Sequence, residues 1–378
     1  MRTKRLLMIA GEVSGDTHGA ALVRELRQLE PSIRVAGLGG PRMAAAGVEL
    51  FQDLTAHALI GVNGLLSSLL DLMRARRTIM HKLSTDPPDA IILVDFPDFN
   101  LMIARHAKRA GVPVIYYVSP QIWAWRGGRI KQIVERVRKM LVFFPFEEEL
   151  YRRAGVDATF VGHPLLDTMA DKLAVTDRAA LRRSLGLPES GTVIGILPGS
   201  RRKEITYVLP ILLKAARIIQ RERPDVTYIA ARADGLRQEQ FDRIRERHGV
   251  EFQTVGGRTY DVMLASDLLL ICSGTATLEA GLLGTPMVVA YHGDFFSYTL
   301  FGPFITPGNF ALANIVLRET VVPEFYVTDA KPRRIAAAAL RILDGGLDDM
   351  RRKLSVLREK LGEPGASSRA AAEILKLI

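Results

Sequence analysis

The 378-residue chain has one cysteine, Cys272. A single thiol makes no internal disulfide and no zinc cluster, and it suits a reducing compartment. Long apolar runs are also lacking. No stretch approaches the ~18–20 apolar residues that span a bilayer. The early run Leu6 to Ala10 is too short for a secretory signal and is followed by Glu12 and Asp16, so it reads as a first strand. The G-x-G-x-x-G spacing of dinucleotide-binding turns is absent, which argues against a nicotinamide oxidoreductase. The histidines form no metal-ligand pattern. Acidic residues are in deficit: 41 Asp and Glu against 51 Lys and Arg leave a net charge of +10. That balance favours an anionic partner, whether nucleic acid, a phosphorylated substrate or an acidic membrane face, without choosing among them. A non-catalytic nucleic-acid binder is suggested by charge alone.

Apolar residues make up 48% of the chain, enough for two cores. Strand-like runs alternate with helical patterns throughout. IILV and VIYYV are continuous rather than alternating, as expected for strands buried on both faces. This alternation predicts an α/β fold with parallel sheets. The pattern restarts after Gly162-His163-Pro164, where TVIGILPGSRRKE repeats the strand, small-residue loop and helix layout of LLMIAGEVSGD. The reading is therefore two Rossmann-like domains, 1–165 and 166–345. C-terminal helices over 346–378 are expected to pack back on the first domain or on a partner subunit. His163 at the junction reads as a hinge or a satisfied histidine rather than a catalyst.

Six segments carry candidate chemistry. In AGEVSGDTHG, residues 10–19, a strand meets small residues and a helix start, an arrangement that draws anions and lets a ligand near the backbone. Glu12, Ser14 and Asp16 belong to this turn, where Ser14 or Asp16 equally reads as an N-cap. In LVDFPDFN, residues 93–100, Asp95 ends an apolar strand and is a candidate general base. Asp98 reads as an N-cap. In ILPGSRRKEI, Gly199 and Ser200 precede a helix so that their N–H groups can face an anion, and Arg201 adds a guanidinium suited to phosphate oxygens. The alternative is a capped helix with solvated charges.

In LLLICSGTATLEAGLLGTPMVV, residues 268–289, Ser273, Gly274 and Thr275 form a second such turn. Glu279, one turn into the helix, is placed to accept from a ribose diol. Its alternative is an acidic first turn favoured by the helix dipole. Cys272 reads as a buried strand residue. In residues 57–82, Leu65, Leu66, Leu69, Leu70, Leu72 and Met73 fall on one helical face, with Arg74, Arg76 and Arg77 at its end. Such a helix dips into a bilayer, lines an acyl pocket, or simply faces the core. In SPQIWAWRGGR, Trp123 and Trp125 beside Arg126 and Arg129 stack on a sugar, line an interface, or are structural.

GEVSGD, GGPRM, DFPDFN, YYVSPQIWAWR, FVGHP, LPGSR and SGTATLE, in this order, resemble the lipid-A-disaccharide synthases over essentially the whole chain. LPGSR and SGTATLE alone resemble only the wider GT-B group, which includes UDP-N-acetylglucosamine transferases and 2-epimerases. The resemblance implies a GT-B fold, two Rossmann-like domains with parallel sheets facing across a cleft. It implies an inverting, metal-independent transfer from UDP-2,3-diacylglucosamine to 2,3-diacylglucosamine 1-phosphate. The products are the β(1→6) disaccharide 1-phosphate and UDP, and no cofactor is involved. It implies a peripheral position on the anionic cytoplasmic face of the inner membrane and a possible homodimer. By motif, it assigns Asp95 as the base, Glu12 to the acceptor region and Arg201 to catalysis. It sets Thr275 and Glu279 beside UDP, and the small-residue turns read above add Ser14, Gly199, Ser200, Ser273 and Gly274 as substrate-binding candidates. The family's apolar finger matches 59–76, so Leu65, Leu66, Leu69, Leu72, Met73, Arg76 and Arg77 are assigned to membrane or acyl chains. A family asparagine falls on Asn314 in ANIVLRETVVPEF, although the Gly-Arg-Glu that follows it in the family reads Leu317-Arg318-Glu319 here.

Overall fold

The computed structural model describes residues 3–55, 65–120, 128–175, 177–233, 235–291 and 310–378, with side chains from 70 onward in the second segment. The chain forms two units. One comprises Met1–Asp167 with Leu361–Ile378, and the other Thr168–Lys360.

The first unit is built on strands β1 (Arg5–Ala10), β2 (Arg34–Gly39), β3 (Glu49–Asp53), β4 (Ala90–Val94), β5 (Val114–Tyr117), β6 (Lys139–Val142) and β7 (Ala158–Phe160). Their order in the sheet is β3-β2-β1-β4-β5-β6-β7, and every pairing is parallel. All of β4 and β5 is buried, which explains why their sequences are unbroken apolar runs. Helices on the faces complete the core. Ile79 and Leu83 of the helix Leu65–Thr85 and Ile103 and Ala104 of the helix Pro97–Arg109 pack in the same cluster as Ile91 and Leu93.

The second unit has strands β8 (Val193–Leu197), β9 (Thr227–Arg232), β10 (Gln253–Gly256), β11 (Leu268–Cys272), β12 (Met287–Tyr291) and β13 (Glu324–Tyr326). They lie in the order β10-β9-β8-β11-β12-β13, again all parallel. Each sheet thus reverses its winding direction once, between β1 and β4 and between β8 and β11. An open α/β sheet binds ligands beyond the carboxyl ends of its strands at such a reversal.

The tail divides differently from the expected break at 345. The helix Leu347–Lys360 buries Met350, Leu354 and Leu357 in the second unit, and only Leu361–Ile378 returns to the first. There the helix Ala366–Leu375 packs on the helix Val13–Leu29. Arg369 clamps the return by donating to the carbonyls of Val161 and Pro364.

Candidate active site

Two clusters occupy the two winding reversals. In the first unit, Ala10 pairs with Val94, so the turn at Gly11–Glu12 and the turn at Asp95–Phe96 leave the sheet side by side. Asp95 and Phe96 both have left-handed backbones, with φ of 47° and 48°. Each such non-glycine conformation costs roughly 1–3 kcal/mol, so other contacts must hold the turn. One contact lies across the reversal: a Cβ on Gly11 would sit 2.3 Å from the Phe96 ring, so only glycine leaves room for it. Asp95 is half-buried. Desolvation, reinforced by the negative charge of Glu12, pushes its carboxyl up to about 6. A base that is ionised at neutral pH yet readily protonated suits proton abstraction.

Glu12 occupies the N-cap position of the helix Val13–Leu29 and makes no side-chain cap bond; Ser14 lies exposed in its first turn. Neither Ser14 nor Asp16 caps this helix, contrary to the sequence-based alternative. Asp16 is 2% exposed and reaches sideways instead. Its carboxylate accepts the N–H groups of Gly40 (2.9 Å), Arg42 (3.0 Å) and Met43 (2.9 Å). It therefore caps the five-residue helix Pro41–Ala45, which is too short to stand alone. Asp98 is not an N-cap either. Phe96 holds that position and Asp98 pairs with Arg129.

In the second unit, Ile271 pairs with Leu197, which sets the loop after β8 beside the loop after β11. Together they line a cavity of about 580 Å³ that contains Gly199, Ser200, Arg201, Ser273, Gly274, Thr275 and Glu279. The Arg201 side chain is 84% exposed and lies 3.5 Å from Glu204. Gly274 is the N-cap of the helix Thr275–Leu282. The Thr277 hydroxyl braces that turn, donating to the Gly274 carbonyl at 2.8 Å. Glu279 accepts from the Tyr260 hydroxyl at 3.0 Å, and burial raises its carboxyl above the usual range. Burial also pushes the Cys272 thiol up to about 12, which fits an inert strand residue.

The loop after β8 differs from expectation in one respect. The N–H groups of Ser200 and Arg201 are not open to an external anion, because the carboxylate of Glu204 accepts both, at 2.8 and 3.1 Å. What the loop turns outward is the Arg201 guanidinium. Glu204 and Tyr260 both line the cavity and were not singled out in the sequence. Glu204 lies three residues after Arg201, which has no acceptor to complete a capping box, so the sequence showed the glutamate only as an acid in the first turn of a helix. Tyr260 arrives from the segment between β10 and β11 and has no sequence signal.

Asn314 does not face the cavity. It is fully buried, and its amide is saturated. Nδ2 donates to Val322 O and Glu324 Oε1, while Oδ1 accepts from the N–H groups of Val321 and Val322. The residue assigned to substrate by resemblance is here a bracket between the helix Leu312–Leu317 and β13.

The apolar helix also needs correction. Leu72 is partly buried against the core on the side of Ala75, Ile79 and Leu83, whereas Leu70 and Met73 are 47% and 41% exposed. Leu72 and Met73 thus lie on different faces. Arg76 and Arg77 are exposed. Trp123, Trp125 and Arg126 lie outside the described residues, as do the side chains of Leu65, Leu66 and Leu69. No helix of the described residues is long and apolar enough to cross a membrane.

Two parallel, doubly wound sheets, each with small-residue loops at its reversal, make up a GT-B fold. The solved structures agree on the fold. An Anabaena protein, Alr3699/HepE in complex with UDP and glucose, matches with a TM-score of 0.59 at 16% identity over 100% of both chains. The UDP-GlcNAc 2-epimerase from Neisseria meningitidis bound to UDP-GlcNAc matches at 0.63 and 11% identity, also over 100% of both. The family model of lipid-A-disaccharide synthetase matches residues 6–376. The lipid-A-disaccharide synthase of Syntrophus aciditrophicus (strain SB) is 44% identical over 100% of this chain and 99% of its own. That of Geobacter sulfurreducens is 40% identical over 99% and 97%. The chain belongs to the lipid-A-disaccharide synthase family and is a glycosyltransferase.

Proposed function

We propose that the enzyme transfers 2,3-diacylglucosamine from UDP-2,3-diacylglucosamine to 2,3-diacylglucosamine 1-phosphate, with inversion at the anomeric carbon. The observation that carries this reading is the second-unit cavity, where an outward guanidinium, a small-residue helix start and a half-buried carboxylate surround one space. These suit two parts of a nucleoside diphosphate, the diphosphate and the ribose. The Arg201 guanidinium and the start of the helix at Thr275 take the diphosphate. Glu279, held by Tyr260, accepts from the ribose hydroxyls. Asp95 takes the proton from the acceptor hydroxyl as its oxygen bonds to the anomeric carbon and the bond to UDP breaks. General-base assistance of this kind contributes roughly 10²–10⁴-fold. The charge that develops on UDP falls to Arg201 and the helix dipole.

Acyl chains make both substrates amphiphilic, so the enzyme works at an anionic membrane surface. Exposed Leu70 and Met73 beside Arg74, Arg76 and Arg77 support that placement.

The test is a transfer assay in detergent micelles with the two diacylglucosamine substrates, with and without EDTA, read by mass spectrometry. Disaccharide 1-phosphate plus UDP in both samples is the expected result. Asp95→Asn should abolish turnover while UDP still binds, and Arg201→Ala should weaken both. Full turnover by Asp95→Asn would remove the base assignment. Activity on a water-soluble acceptor alone would replace the substrate assignment.

A further inference from the structure

Two buried side chains converge on the main-chain oxygen of Asp95 without being bonded to its carboxylate. Tyr116, on β5 and fully buried, donates its hydroxyl to that oxygen at 2.6 Å. Asn100, also fully buried and one turn into the helix Pro97–Arg109, donates Nδ2 to the same oxygen at 2.7 Å and to Val94 O at 3.3 Å. The amide of Asp95 still donates to Tyr117 O at 3.2 Å, so the sheet ladder runs up to this residue and stops. The next peptide plane is the one that turns the chain into its left-handed pair, Asp95 and Phe96. Its carbonyl is the group that both donors grip.

Neither donor looks like an ordinary core residue. Asn100 leaves its Oδ1 buried with no hydrogen-bond partner, a costly arrangement if the amide only filled space. Tyr116 sends its hydroxyl across from β5 to the end of β4, although a phenylalanine would fill the same volume. We infer that Tyr116 and Asn100 are positioning residues for Asp95. They hold the strained peptide after β4 so that the carboxylate keeps one direction and a fixed relation to Glu12, whose charge acts on it from the N-cap of the helix Val13–Leu29.

The inference rests on Asp95 being the base, and the experiment separates the two. Tyr116→Phe keeps the ring and removes one donor; Asn100→Ala removes the other. For each we would measure kcat, the KM of both substrates, UDP affinity, thermal stability and the acid limb of the pH–rate profile, with Asp95→Asn alongside. Misplacement of a reacting group by an ångström costs up to about 10²-fold. Tyr116→Phe should therefore lower kcat by about 10- to 100-fold with KM and UDP affinity within twofold. The acid limb should shift, because the carboxylate no longer keeps its distance from Glu12. If kcat and thermal stability fall together while the acid limb stays in place, the pair is merely structural and the inference is overturned. Wild-type kcat in Tyr116→Phe with Asp95→Asn inactive overturns it as well, and leaves Asp95 as base. Full turnover by Asp95→Asn overturns the base reading and this inference with it.

Discussion

A Cβ on Gly199 would lie 2.2 Å from Oε2 of Glu204, so the glycine is what lets the glutamate fold back over the loop after β8. The φ of Gly199, +111°, is itself a conformation that other residues rarely adopt. Gly199→Ala should therefore evict the carboxylate, release the Ser200 and Arg201 N–H groups and disorder Arg201. Calorimetry should show UDP binding at least about tenfold weaker, a loss of one charge-assisted contact. An unchanged affinity would mean that the loop does not touch the nucleotide.

Glu12 and Asp95 form a pair of like charges at the first reversal, with Asp95 pushed up to about 6. Activity should fall on the acid side with a midpoint near pH 6. Glu12→Gln should move that midpoint to lower pH, because one of the two influences that raise the carboxyl is removed. The sign for stability is the reverse of a salt-bridged acid. Asp95 binds its proton more tightly when folded, so its burial costs nothing below pH 4 and costs most above pH 6. Asp95→Asn should accordingly raise Tm at pH 7.5 and leave it unchanged at pH 4.

Asn314 satisfies two N–H groups and two acceptors that would otherwise be orphaned next to β13. Each buried polar group left unpaired costs about 1–3 kcal/mol. Asn314→Ala should lower stability by about 3 kcal/mol or more in a denaturant titration. The folded fraction should bind UDP as before. A large loss of affinity with unchanged stability would return Asn314 to the ligand.

His18 and His163 are neutral histidines around Phe143, with ring centroids 5.2 and 5.5 Å from it. Burial lowers His18 to about 4; burial, with His18 nearby, lowers His163 to about 3. The unfolded chain takes up these protons first, so stability is undiminished above about pH 6.5 and is lost as pH falls toward 4 and 3. His18→Gln should flatten the decline of Tm between pH 6.5 and 4. An unchanged slope would place the acid-labile group elsewhere.

Much of the fold was legible in the chain because its signals are local. Short unbroken runs such as IILV and VIGIL, closed off by turn residues, read as strands buried on both faces, and Gly, Ser and Asp at their ends mark where helices begin. The family was legible for a related reason, since its motifs are these same turns. Capping roles were less legible. Asp16 and Asp98 look like N-caps by position, yet Asp16 caps a helix 25 residues away and Asp98 pairs with Arg129. A side chain's nearest backbone in sequence is only one of the partners that folding offers it. The helix Leu65–Thr85 shows the same limit: spacing places Leu72 beside Met73, but the direction of the core decides which of the two is covered.

The chain by itself determined two α/β units, the turns that bear Glu12, Asp95, Arg201, Thr275 and Glu279, and membership of the family, since all of these depend on neighbours within a few residues. Only the tertiary structure decided that β4 lies against β1 and β11 against β8. That pairing sets Asp95 beside Glu12 and Glu279 in the same cavity as Arg201. It also decided that Tyr116, Asn100 and Tyr260 would support them and that Asn314 would be consumed by the fold. Strand order joins segments some seventy to ninety residues apart through hydrogen bonds that any strand can make, and it is the packing of the whole sheet that selects which strands meet.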